Sequence, residues 1–272
     1  MAKVAAMAGA EVILAGRSPE RLEESRRDVN RVATGSPAAT VLLDLSSFAS
    51  VRLATTLLHE KWDALDVLVN NAGVMAIDEA TGEDGYELTM TINHLSPVLL
   101  SAGVLDLLER GHHPRLSFTS SLLHWTSRLK PGLLGELHSP YHRWAAYAHS
   151  KAANLAVALD MDRRARAAHS PVTVLCAHPG VASTHLGHEG SGLTNSLLRT
   201  LVAPLTPSAE RGSRSLVDAA LSHRYSGGSF VGPRWLLAGP SHIARPSPFV
   251  ARPRFQREVL ERTLALVGAE FY

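Results

Sequence analysis

Cysteine is almost missing from these 272 residues: Cys176 stands alone. That excludes an intramolecular disulfide and most zinc sites, and it points to a cytoplasmic setting. Lysine is nearly as scarce, at Lys3, Lys61, Lys130 and Lys151 only. With Lys+Arg 27 against Asp+Glu 25, the formal net charge is +2, too small an excess for a dedicated nucleic-acid binder. No apolar run reaches the roughly 18 residues of a membrane-spanning helix. Glu11 and Arg17 interrupt the opening stretch, so it does not read as a signal peptide. Repeats and low-complexity linkers are absent too. The last absence lies at the start. "MAKVAAMAGAEVILAG" reads as the end of a helix, a turn at Gly9–Ala10 and a strand. That is the second half of a β-α-β unit, without the first strand or the glycine loop that normally opens one.

The residues that are present make an ordinary globular composition, 45% hydrophobic and 19% charged. The length suits one large α/β domain or two small ones. Strand and helix signals alternate. After "EVILAG" comes a helix with Ser18 as N-cap, Pro19 at its first position and Glu20, Glu23 and Glu24 near its start. "ATVLLDL", "LDVLVNNAG", "RLSFTSS" and "VTVLCAHPG" read as further buried strands. Between them lie an amphipathic helix over "SSFASVRLATTLLHEKW", one long helix over "GYELTMTINHLSPVLLSAGVLDLLERG", and another over "RWAAYAHSKAANLAVALDMDRRARAA". Near-continuous apolar strands alternating with helices predict a parallel sheet covered on both faces.

Four of these strands end in polar or small residues: Asp44, Asn70–Gly73, Ser120–Ser121 and His178–Gly180. Ligands of open parallel sheets bind beyond the carboxyl ends of the strands, so these ends are expected to share one crevice. In "YAHSK", Tyr147 and Lys151 stand one helical turn apart on a common face. A tyrosine ordinarily titrates near ~10, and a neighbouring ammonium favours the phenolate. Tyr147 is then a candidate general acid for carbonyl reduction and general base for alcohol oxidation. Ser121 is placed to hold the oxygen where charge develops. Asn93 is a polar group inside an apolar helix and is expected to hold a water that links Lys151 to solvent. Trp125, Tyr141 and Trp144 flank this region, either lining a pocket or packing a long loop.

The set "NNAG", "INHLSP", "FTSS", "YAHSK" and "HPGVAST", in that order, resembles the short-chain dehydrogenase/reductase family. "SSLLHW", the segment 126–144 and "RWAAYAHSKAANLA" resemble its retinol-dehydrogenase-like branch most. The resemblance implies a single Rossmann-type, doubly wound parallel α/β domain over 1–272. In it, 126–144 is a loop insertion near the active site and 185–272 forms substrate-side and capping segments. It implies Tyr147 as proton donor and acceptor, Ser121 as substrate anchor, Lys151 on the nicotinamide ribose and Asn93 in the proton relay. The coenzyme would also meet Asp44 and Leu45 at adenine, Asn70, Asn71, Ala72 and Gly73 beneath the adenosine side, and Pro179, Gly180, Val181 and Thr184 at the nicotinamide. Arg17 follows the "EVILAG" strand where members that prefer NAD carry an acid, and it suits a 2′-phosphate. NADP(H) is therefore expected ahead of NAD(H), and the mechanism calls for no metal.

The family opens with a strand and a glycine-rich loop whose amides hold the pyrophosphate. About two dozen residues of that pattern find no counterpart here. Three readings accommodate this: an active reductase whose start was assigned at the wrong codon, a shortened and inactive remnant, or a binding module that keeps the fold without catalysis. The intact set of Ser121, Tyr147, Lys151 and Asn93 favours the first. The expected substrate is a small, lipophilic alcohol, aldehyde or ketone, and a homo-oligomer is left open.

Overall fold

The structure is a computed structural model that describes residues 1–180, 213–235 and 239–272. Short apolar strands supply the frame. They are β1 (Ile13–Gly16), β2 (Ala39–Leu42), β3 (Val67–Asn70), β4 (Arg115–Thr119), β5 (Thr173–Ala177), β6 (Phe230–Pro233) and β7 (Ser241–Ile243). β1 and β2 pair parallel as a two-stranded sheet. β3 to β7 form a second sheet in sequential order, parallel up to β6, with β7 antiparallel at its edge. Among the described residues, β1 and β3 each have one strand neighbour. β6 and β7 carry no marked alternation and were not foreseen. Phe230–Pro233 is buried throughout because β5 and β7 flank it.

The helices α1 (Ala2–Met7), α2 (Pro19–Asn30) and α3 (Phe48–Lys61) follow the expected pattern. Ser18 caps α2 by accepting from the Arg21 amide at 3.3 Å, and Pro19 occupies the first turn, where no amide hydrogen is needed. The expected single helix over 85–111 is broken into α4 (Leu88–Met90), a π-turn at Thr91–Leu95, α5 (Ser96–Gly103) and α6 (Leu105–Glu109). Pro97 is one cause. It has no N–H, so the carbonyl of Asn93 four residues earlier loses its helical donor. The register slips instead, and the Ser96 amide donates to Thr91 O.

α7 (Arg143–Ala167) is buried around most of its circumference between Tyr147 and Asp162, and its alanines let it lie close to β4 and β5. α8 (Arg214–Leu221) packs on β4, β5 and β6. α9 (Pro253–Val267) lies against α7 and ends at Gly268, whose left-handed φ of 60° suits a residue without Cβ. One large core joins α3, α5, α7, α9 and the central strands. No helix among the described residues is long and apolar enough to cross a membrane.

Candidate active site

β4 is buried along its whole length and delivers Ser120 and Ser121 where it leaves the sheet. Neighbouring side chains of extended backbone point opposite ways, and these two diverge. The Ser120 hydroxyl donates to the Lys151 carbonyl at 2.7 Å, inside the fold. Ser121 caps the turn Leu122–Thr126, accepting from the Leu123 amide at 3.3 Å, and its side chain acts on the Tyr147 phenol. His124, fully buried, braces this turn. Its Nε2 accepts from the Ser247 amide at 3.1 Å, so its Nδ1 carries the proton donated to Ser121 O at 2.7 Å. Sequence reasoning passed over His124, although "SSLLHW" contains it.

α7 brings Tyr147 and Lys151 together. Both are 4% exposed, and the Lys151 ammonium lies 5.6 Å from the Tyr147 ring centroid. Lys151 Nζ donates to Thr119 O at 3.2 Å. Burial pushes the lysine down to about 8. The expected lowering of Tyr147 by this ammonium is not what the structure shows. Burial raises the phenol, and the Ser121 hydrogen bond opposes that rise without reversing it. Desolvation of the phenolate outweighs a cation that faces the ring rather than the oxygen.

Asn93 is 1% exposed. Its Oδ1 accepts from the Val74 amide at 2.7 Å, and its Nδ2 donates to Val74 O at 2.9 Å and to Ser150 Oγ at 3.0 Å. Both amide hydrogens are thus spent on protein, and the expected water would have to find another part of the residue. Its backbone carbonyl, released by Pro97, accepts from Asn154 Nδ2 at 2.9 Å. Sequence reasoning missed Asn154, Ser150 and His94. The proline in "NHLSP" was the available signal.

Gly73 completes the floor. A Cβ there would lie 2.7 Å from Asn93 Oδ1 and 3.4 Å from Lys151 Nζ. The buried Thr119 Oγ1 has no hydrogen-bond partner among the described residues. A buried ammonium, an orphan hydroxyl and a closely approaching glycine backbone fit the ribose end of a nicotinamide coenzyme. Asn71 and Ala72 are exposed beside them. Asn70 is different: its side chain turns into the fold and donates to Ser101 Oγ at 2.8 Å, so only its backbone faces the crevice side. Asp44 Oδ1 accepts from both the amide and the hydroxyl of Ser46, at 2.9 and 2.7 Å. Leu45 O accepts from Ser96 Oγ at 2.7 Å. Arg17 is exposed directly after β1. Pro179 and Gly180 follow β5, the glycine at φ 74° with its amide on His178 Nδ1. Val181 and Thr184 lie outside the described residues.

Of the three aromatics, Tyr141 is tied down: its hydroxyl donates to Glu87 Oε1 at 2.9 Å, anchoring the 126–144 segment to the start of α4. Trp125 is 49% exposed and helps to line a cleft of about 220 Å³ with Leu122, His178, Phe230 and Arg234.

The model of one family, described as short chain dehydrogenase, matches residues 1–191. Human retinol dehydrogenase 13 is 33% identical over 197 residues, covering 72% of this chain and 59% of that protein. The chain thus spans well under two thirds of that relative's length. Mouse polyprenol dehydrogenase is 33% identical over 273 residues, 98% of this chain and 79% of its own. Among solved structures, a protein from Mycobacterium paratuberculosis superposes with a TM-score of 0.80 at 30% identity, covering 100% of this chain and 89% of its own. A short chain dehydrogenase from Burkholderia cenocepacia, solved in complex with NADP, shares the fold with a TM-score of 0.64 at 23% identity, over 85% of this chain and 89% of its own.

Proposed function

The chain belongs to the short-chain dehydrogenase family, and on that premise we propose that it interconverts a lipophilic alcohol and its carbonyl form with a nicotinamide coenzyme, NADP(H) ahead of NAD(H). The observation that carries this reading is the meeting of the half-buried Ser121 with the buried Tyr147, whose ring faces the buried Lys151 ammonium. When bound, the coenzyme supplies or takes the hydride. Tyr147 holds the proton. Burial keeps the phenol protonated at neutral pH, the form needed to protonate a carbonyl oxygen as its carbon is reduced. Ser121, fixed by His124, directs its hydroxyl at the same oxygen and stabilises the charge developing there. Lys151 offers its ammonium from below, where a ribose hydroxyl would complete a path for returning the proton to Tyr147.

The cleft that starts at Leu122, next to Ser121, has Trp125 and Phe230 in its wall but also His178, His242, Arg234 and Arg245, so the substrate reading rests on the relatives. The relatives named above carry retinol and polyprenol, both lipophilic alcohols, in their names. The coenzyme preference rests on Arg17. The experiment is reduction of a panel of retinoid, prenyl and aromatic carbonyls with NADPH, by the parent and by Tyr147→Phe. Loss of the proton donor should slow turnover by roughly 10²–10⁴-fold. Turnover by the Phe variant within a few-fold of the parent would overturn the reading.

A further inference from the structure

Behind the Lys151 ammonium runs a line of buried polar groups that the chemistry above does not use. Thr119 O accepts from Lys151 Nζ at 3.2 Å and also from Asn154 Nδ2 at 3.0 Å. The same Asn154 nitrogen donates to Asn93 O at 2.9 Å. Its Oδ1 lies 2.9 Å from His94 Nδ1, and His94 Nε2 lies 2.8 Å from Thr263 Oγ1 on α9. His94 and Thr263 are 0% exposed and Asn154 is 2%. The line crosses from the π-turn to α7 and on to the C-terminal helix.

The roles of Asn154 and of His94 Nδ1 follow from valence. Two carbonyl oxygens, Asn93 O and Thr119 O, can only accept, so the nitrogen of the Asn154 amide must face them. Its oxygen then faces His94 Nδ1, which must carry the proton. A flipped amide would set its oxygen against two carbonyls and leave them unpaired in a buried site. Nε2 of a neutral ring is then an acceptor, and the Thr263 hydroxyl is its donor. That hydroxyl also lies 2.7 Å from Val259 O and has one proton for the two. The groups around this assembly are few. Lys151 and Cys176 influence one another, Lys151 acts on His94, and the Tyr147 ring faces Lys151.

We propose that His94 and Asn154 are positioning residues: the Nδ1–H of His94 fixes the Asn154 amide, and that amide holds the Thr119 carbonyl where the Lys151 ammonium needs it. This rests on the reading of Lys151 as part of the catalytic set, and it adds two residues that touch neither substrate nor coenzyme. Asn154 supplies the donor that Pro97 withholds from Asn93 O, so one amide repairs the broken helix and sets the lysine's acceptor. Without it, Thr119 O is free to turn towards other donors, and the buried ammonium loses its fixed acceptor.

The test uses the full chain and two NMR measurements. Nitrogen spectra of histidine-labelled protein at neutral pH should show His94 as the Nδ1–H tautomer; an Nε2–H tautomer overturns the proposal and requires no variant. The four lysines make Lys151 easy to assign, with Lys151→Arg as reference, and its titration is followed in labelled protein. In His94→Leu and Asn154→Leu that remain folded by circular dichroism, the Lys151 midpoint should fall by on the order of half a pH unit or more, because the charged form has lost its acceptor. His94→Gln keeps an N–H directed at Asn154 and should restore the parent midpoint. An unchanged midpoint in the folded leucine variants, or a glutamine variant that behaves as leucine does, overturns the proposal. If the leucine variants do not fold, the parent tautomer decides. None of these readouts needs turnover. Failure of the catalytic reading is seen separately, as undiminished carbonyl reduction by Tyr147→Phe.

Discussion

The side-chain amide of Asn93 brackets the backbone of Val74, accepting from its N–H at 2.7 Å and donating to its C=O at 2.9 Å. Val74 is buried, so both groups depend on Asn93. Asn93→Ala should cost about 1–3 kcal/mol for each backbone group left unpaired. Gly73→Ala should cost a similar roughly 1–3 kcal/mol, since its Cβ would meet an oxygen that Val74 holds in place. The pair should be strongly non-additive, because removing Asn93 removes what the new methyl strikes. Urea unfolding of the two variants and the double variant measures this; additive losses would show that the two residues do not constrain each other.

Lys151 should destabilise the fold it serves. Its titration falls to about 8 in the folded chain from 10.5. The folded state therefore binds fewer protons than the unfolded chain between those values. Stability rises with pH across that window, and the cost of the buried ammonium is full below about 8. Lys151→Met should be more stable than the parent at pH 7 by about 1–3 kcal/mol, while carbonyl reduction is lost. Thermal melts at pH 7 and pH 9.5 check the stability, where the gain should shrink at the higher pH, and NADPH consumption with a carbonyl substrate checks the activity.

Three histidines set the acid limb, His94 and His178 buried and His149 half-buried. Burial holds His94, His149 and His178 down to about 4 from 6.5. Each is neutral in the fold, so the unfolded chain takes up more protons below about 6.5. Their stabilising contribution is full above that value and drains away as pH falls to about 4. His94 alone should account for roughly 3 kcal/mol across that interval. Melting temperature against pH should fall steeply there for the parent and less so for His94→Gln. Parallel curves would show that His94 does not titrate in this way.

Arg17 should decide between the two coenzymes. It stands exposed at the end of β1 with no acid at that strand end. Arg17→Asp should weaken NADPH binding by roughly 1.5–3 kcal/mol and leave NADH nearly untouched, because only the former carries the 2′-phosphate that a guanidinium pairs with. Fluorescence titration with each coenzyme measures the difference. Equal affinities for both in the parent would remove any such role for Arg17.

Much of this architecture was readable from neighbours along the chain. The Ser18–Pro19 start of α2, the five apolar strands up to Ala177 and the one-turn spacing of Tyr147 and Lys151 all depend on residues within a few positions of one another. Capping, periodicity and turn chemistry act at that range, so a linear reading captures them. The reading failed where one segment answers to another. The long helix over 85–111 breaks because Pro97 releases a carbonyl that Asn154, 61 residues further on, is there to receive. Tyr147 is raised rather than lowered because the surrounding fold removes its water.

By itself the sequence determined the strand–helix alternation, the family and the candidate set of Ser121, Asn93, Tyr147 and Lys151. Tertiary structure decided the parting of Ser120 from Ser121, the bracing by His124, and the line that joins His94 to Thr263 across 169 residues. The physical reason is the range of the forces. Backbone preference and side-chain periodicity are local, whereas desolvation and the pairing of buried polar groups exist only once distant segments have closed around them.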